Sequence, residues 1–293
     1  MNRSIAANLI SFALILMTLS VQARDKGPWK DKSVKVGDIK IHYIEAGSGD
    51  RTLVFIPGWT MTAEVWREQF PYFSTRGFRV LALDPRSQGE TTKTENGNTY
   101  HQQAADLHAF LQQLEIGRSY LVGWASGATV LLEYLSSFQT LIPEKIVLVD
   151  CSPAVLKSDD YPGTMTLQKA HAFLMSFQDD REKATDQYVR ELFKVRQPES
   201  LIKDWKEGCL QTPMGAAAVL FFDQLAEDRR SELLHIQIPS LIFATQENKA
   251  AGEYLKAQIP DSVLEVIEGA GSAMFLEKPQ TFNQTMESFL GEN

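Results

Sequence analysis

Residues 121–130 read LVGWASGATV. Upstream, the stretch SYLVGW (Ser119–Trp124) is an apolar run of the kind that a sheet buries on both faces. Downstream, small residues lead into an apolar-periodic stretch that predicts a helix over Thr129–Phe138. Only Ala125 and a few small residues separate the two, with Gly123 and Gly127 on either side. A strand that turns this sharply into a helix points to a parallel α/β sheet, in which ligand sites gather at the carboxyl ends of the strands.

The same rhythm extends in both directions. TLVFIP (Thr52–Pro57), FRVLALD (Phe78–Asp84) and KIVLVD (Lys145–Asp150) are further buried strands, and PSLIFAT (Pro239–Thr245) and SVLEVIEG (Ser262–Gly269) continue the series. Helices are predicted over Ala63–Phe73, Tyr100–Leu114, Ala250–Ile259 and Pro279–Leu290. SVKVGDIKIHYIEAG, pivoting on Gly37-Asp38, reads as a β-hairpin. Strands alternating with helices mean a mostly parallel, doubly wound sheet covered on both sides. The alternation stops between residues 153 and 234, which read as helical and polar. This divides the chain into a core of residues 24–152 and 235–293 and a helical cap of residues 153–234 roofing the sheet's C-terminal edge.

The chain has 293 residues, 44% of them hydrophobic, with a formal net charge of −8. That suits one large α/β domain with an insertion. The acidity and the lack of a basic block argue against nucleic acid as a partner. Residues 1–23 resemble a secretory signal peptide: Arg3, an apolar core over Phe12–Leu19, and the small-x-small sequence Val21-Gln22-Ala23. Its removal would leave an exported protein, periplasmic or secreted, with no stable membrane partner; the alternative is an anchor through residues 4–23. The two cysteines, Cys151 and Cys209, could pair in such a compartment or remain buried thiols. No zinc spacing occurs, and neither a metal nor a cofactor is expected.

Five segments together resemble the α/β-hydrolase superfamily, in its capped esterase, lactonase and haloperoxidase-like branch. FIPGWTMTAEVW is similar to the family's oxyanion loop, and LDPRSQGET to its Asp-x-Arg-x-x-Gly segment. LVGWASGATV stands at the G-x-S-x-G nucleophile elbow. PSLIFATQEN precedes the acid, and GAGSAMFLEKPQTFN surrounds the histidine. The order and spacing match from about Ser33 to the C-terminus. The resemblance implies a serine nucleophile, a histidine base and a carboxylate that orients it. Carried over position by position, those roles fall on Ala125, Ser272 and Asn248, and none of these can perform them. Losing a whole triad costs about 10⁶-fold in turnover.

Substitutes are few. Moving the nucleophile to Ser126 loses both flanking glycines, and no histidine follows His235. Asp150 closes the fourth strand, where some members carry their acid. Cys151 is a candidate thiolate, and His171 is the one histidine with a path from the cap into the pocket. His42 lies on an outer strand before the reactive edge, while His101 and His108 suit packing or surface roles. Asp84 and Arg86 suit bracing of the loop after their strand. The backbone donors of an oxyanion hole can outlive a triad. Their expected positions are Trp59 and Ser126, with Gly58 allowing close approach and Trp124 lining the pocket. The expectation is a non-catalytic or very weakly active pseudohydrolase that binds a small apolar, carbonyl or carboxylate ligand. The alternatives are a hydrolase, lyase or isomerase using relocated residues, and a protein-interaction module.

Overall fold

Continuous apolar strands need cover on both faces, and the observed sheet provides it. The computed structural model describes residues 27–291, so the leader expected over residues 1–23 lies outside the described residues. The chain opens with a hairpin of β1 (Lys30–Val36) and β2 (Ile39–Ala46), turning at Gly37 with φ +54°. There follow β3 (Arg51–Ile56), a 3₁₀ turn over Ala63–Trp66, α1 (Gln69–Ser74), β4 (Phe78–Leu83) and α2 (Tyr100–Gln113). The next units are β5 (Ser119–Trp124), α3 (Ser126–Ser137) and β6 (Lys145–Val149). Four helices then intervene: α4 (Leu167–Asp179), α5 (Arg181–Glu191), α6 (Glu199–Leu210) and α7 (Met214–Ala226). The sheet resumes with β7 (Ser240–Thr245), α8 (Lys249–Gln258) and β8 (Ser262–Ile267), and closes with α9 (Met274–Glu277) and α10 (Pro279–Gly291).

The eight strands lie in the order β1-β2-β4-β3-β5-β6-β7-β8. Only β2 runs antiparallel to its neighbours β1 and β4; β4, β3 and β5 to β8 are parallel. Alternate residues face opposite ways. Leu53, Phe55, Val80 and Val122 pack with α1, α9 and α10 on one face, while Val54, Ile56, Leu81 and Leu121 pack with α2 and α3 on the other. The winding reverses at β3, which has β4 on one side and β5 on the other. Open α/β sheets form their binding crevice at such a reversal.

Two helices differ from the sequence reading. The stretch 63–73 is a 3₁₀ turn and a separate short helix, because Pro71 has no N–H to bond residue 67 and its ring crowds that carbonyl. Helix α3 starts at Ser126 rather than Thr129, directly after Ala125. Ala125 holds φ +50° and ψ −112°, backbone that a residue with a side chain adopts at a cost of about 1–3 kcal/mol.

The flanking glycines make that turn possible. A Cβ on Gly123 would lie 2.5 Å from the Ala128 nitrogen and the Gly127 oxygen, and one on Gly127 would lie 2.3 Å from the Ile56 carbonyl oxygen. Both neighbours are backbone and cannot move aside cheaply. Gly127→Ala is therefore expected to cost about 1–3 kcal/mol or more in urea unfolding. The control Gly117→Ala, in open space, is expected within about 0.5 kcal/mol of the parent.

Candidate functional site

A cavity of about 350 Å³ opens at the C-terminal edge of the sheet, beside the β3/β5 reversal. Its floor comes from strand ends: Trp59 after β3, Ala125 and Ser126 after β5, Asp150 after β6, Asn248 after β7 and Ser272 after β8. Its roof comes from the inserted helices, with Phe173 on α4, Tyr188 and Glu191 on α5, and Phe221 and Gln224 on α7. The fold thus brings Ala125, Asn248 and Ser272 to one wall, although about 150 residues of chain separate the first from the last.

Their polar groups are occupied by one another and by the sheet. Ser272 Oγ accepts from the Trp124 indole N–H at 3.0 Å. Asn248 Nδ2 donates to Asp150 Oδ1 at 2.9 Å, and the Thr245 hydroxyl donates to the same oxygen at 3.2 Å. Asp150 stands beside Ala125, because Trp124 and Val149 are register partners and the Ala125 N–H donates to the Val149 carbonyl at 2.8 Å. Asp150 also has positive φ, +48°, which aspartate tolerates better than most residues.

The backbone donors around Ala125 are only partly taken up by the fold. The Thr60 N–H donates to Gln88 Oε1 at 2.6 Å and the Ala128 N–H to the Ala125 carbonyl at 3.0 Å. Among the described residues, the Trp59 and Ser126 N–H groups have no such partner. Ser126 also begins α3, whose N-terminus carries partial positive charge. The Trp59 indole is fixed from the roof: its N–H donates to the Ala217 carbonyl at 2.9 Å, and its ring meets Phe173, Phe177, Tyr188 and Phe221 at centroid distances of 5.3–5.7 Å.

A model of the α/β-hydrolase fold matches residues 51–279, from the first residue of β3 to the start of α10. The chain belongs to this family. A non-heme chloroperoxidase of Kitasatospora aureofaciens is 25% identical over 269 residues, 87% of this chain and 97% of that protein. An AB hydrolase superfamily protein of Bacillus subtilis is 24% identical over 254 residues, covering 84% and 94%. Among solved structures, a bromoperoxidase from Bacillus anthracis superposes with a TM-score of 0.84 at 25% identity, covering 90% of this chain and all of that one. An esterase from Exiguobacterium antarcticum has the same fold, with a TM-score of 0.85 at 24% identity over 90% and 100%. The protein is thus an esterase- and haloperoxidase-like member of the α/β-hydrolase family.

Several expected site residues stand elsewhere in this α/β-hydrolase. Trp124 is 1% exposed and does not line the cavity; its ring packs on Phe275 of α9 and Trp205 of α6. Gly58 is also outside the wall, where a Cβ would come within 3.4 Å of the Trp124 ring. His171 is exposed and outside the wall: α4 turns Phe173 and Phe177 inward, and a residue two positions earlier points away. Cys151 follows Asp150 but is buried outside the wall, and burial, with the Asp150 charge, pushes its thiol up to about 12. None of the five histidines lines the cavity.

His42 corrects the sequence reading in another way. Because β2 runs antiparallel, its middle faces the C-terminal end of β4, and the Asp84 N–H donates to the His42 carbonyl at 2.9 Å. His42 Nδ1 is 2.8 Å from Asp84 Oδ2, while Asp84 Oδ1 accepts the Ala63 N–H at 2.7 Å. With Gln88 holding Thr60, this network fixes the loop that carries Trp59. Arg86 is tied by two hydrogen bonds each to Asp106 and Asp38, so both loop residues brace as expected.

Burial pulls the His42 imidazole down, but the hydrogen bond and charge of Asp84, with Glu90 and Asp31, outweigh it and hold it above the ordinary histidine value. A raised folded value stabilises fully below the unfolded value of about 6.5 and is lost as pH rises through the folded one. His42→Gln is therefore expected to destabilise more near pH 6 than near pH 9 in urea melts, ~6 and ~9 bracketing the transition.

The two thiols lie in core clusters on opposite faces of the sheet, both free. Burial lifts Cys209, like Cys151, to about 12. A thiol reagent such as Ellman's is expected to leave both unmodified in the native protein at about pH 8 and to titrate both after unfolding, since ionisation and access are withheld together.

Proposed function

We propose that this exported α/β-hydrolase-fold protein holds a small carbonyl compound against the Trp59 and Ser126 N–H groups and does not cleave it by serine chemistry. The observation that carries the reading is the composition of one wall. A methyl group occupies the turn where the family presents its nucleophile, two unpartnered backbone donors stand beside it, and no imidazole is present. The carbonyl oxygen accepts from those donors, in the space that a serine hydroxyl would fill. Acyl transfer needs a nucleophile and a base to take its proton. The serine hydroxyls at the wall lack such a base: Ser272 Oγ accepts from an indole, Ser152 Oγ bonds the Ala154 carbonyl and the Tyr161 hydroxyl, and Ser126 meets the Tyr100 hydroxyl. The secretory leader read in residues 1–23 supports placement outside the cytoplasm.

The carboxylate of the ancestral chemistry is still present in this reading. Asp150, not Asn248, supplies it from the end of β6, and Asn248 orients it. Two substitutions, Ala125→Ser with Ser272→His, are therefore expected to create esterase activity. Turnover of a nitrophenyl ester should rise at least about 10²-fold over the parent, with fluorophosphonate labelling at residue 125. Adding Asp150→Asn should abolish the gain. Adding Asn248→Asp should weaken it, because two carboxylates at hydrogen-bond distance cannot both ionise freely. Fluorophosphonate labelling of the parent protein, with ester turnover to match, would overturn the proposal.

A further inference from the structure

The charge of the cavity wall is one-sided. Asp150 and Glu191 line it, and no lysine, arginine or histidine does. Neither carboxylate makes an ion pair among the described residues. Asp150 accepts all its hydrogen bonds on Oδ1, from the neutral groups Asn248 Nδ2, Thr245 Oγ1 and Thr245 N–H. Glu191, exposed at the cavity, accepts from Gln187 Nε2 at 2.8 Å. The neighbouring arginines are committed elsewhere: Arg190 to Asp186 and Glu199, and Arg229 to Glu133 and Asp223.

The rest of the wall is suited to a cation as well. Five aromatic side chains line it: Trp59, Tyr100, Phe173, Tyr188 and Phe221. The faces of such rings attract cations, and most strongly where water is excluded. Independently, a buried polar atom at this wall lacks a partner: Gln224 Oε1 is a buried acceptor without a donor, while the buried Tyr100 hydroxyl has only the Ser126 side chain to meet. Buried polar groups are normally satisfied, so an orphan that lines a cavity marks a position for a ligand atom. A carboxylate ligand, by contrast, would meet two like charges and no counter-ion.

We infer that the ligand of this cavity is a small organic cation, an ammonium compound whose neutral carbonyl reaches the Trp59 and Ser126 donors while its charged end lies among the rings beside Asp150 and Glu191. The inference rests on the carbonyl-binding reading and adds the charge of the ligand to it.

Three probes of matched size separate the two claims by calorimetry on the intact protein: 2-(trimethylammonio)ethyl acetate, its neutral isostere 3,3-dimethylbutyl acetate, and the anion monomethyl succinate. The cationic ester is expected to bind at least about tenfold more tightly than the isostere, with the anion weakest. Glu191→Gln, at an exposed position, should reduce the advantage of the cation, and Asp150→Asn should reduce it further. Unchanged far-ultraviolet circular dichroism and urea midpoints within about 1 kcal/mol of the parent report that both variants fold. Equal affinity for the two esters, or tighter binding of the anion, overturns the cation inference and leaves carbonyl binding standing. Binding of neither ester at millimolar concentration overturns both.

Discussion

The architecture depends on how closely β5, α3 and the end of β3 approach one another at Gly123 and Gly127. Absence of two Cβ atoms lets the Ile56 carbonyl sit against the first turn of α3. That proximity forces the whole reversal of direction into Ala125. It also sets the first turn of α3 beside the loop leaving β3, so that Trp59 and Ser126 line one cavity. The strain at Ala125 persists although its side chain is a methyl group, so it belongs to the packing of the sheet and not to any chemistry performed there.

A second layer of support lies behind the wall. The loop from Gly58 to Ala63 is held through Asp84, Gln88 and His42, and the roof is held through the Trp59 indole and Ala217. Trp59 thus ties floor to roof: its main chain belongs to the sheet edge and its ring to the inserted helices. Movement of α4, α5 or α7 against the sheet would have to break the Ala217 hydrogen bond and separate several ring contacts.

The sheet was legible in the sequence because its signal is long and redundant: each buried run carries the same message, and the elbow glycines locate the edge. The convergence of Ala125, Asn248 and Ser272 was legible for a related reason, since each follows a strand and parallel strands deliver such residues to one edge. Direction and facing were harder to read. His42 reads as remote in sequence because its strand runs opposite to the others, which pairing alone reveals. Trp124 and Cys151 adjoin wall residues in sequence, but neighbours in extended chain project to opposite sides. His171 depends on the rotation of α4, set by the partners of Phe173 and Phe177. Pro71, visible from the start, was the signal that the first helix would divide.

The placement of the two free thiols in different core clusters has a consequence for how the chain would meet an oxidant. Cys209 packs against the Met61 sulfur in one cluster, at 3.7 Å, and Cys151 lies in the other. Both are buried and unpaired in the folded chain, so a cross-link between them would first require the two clusters to open. In the presence of an oxidant, closing of the core would then compete with cross-linking, and early burial of the thiols is what protects them.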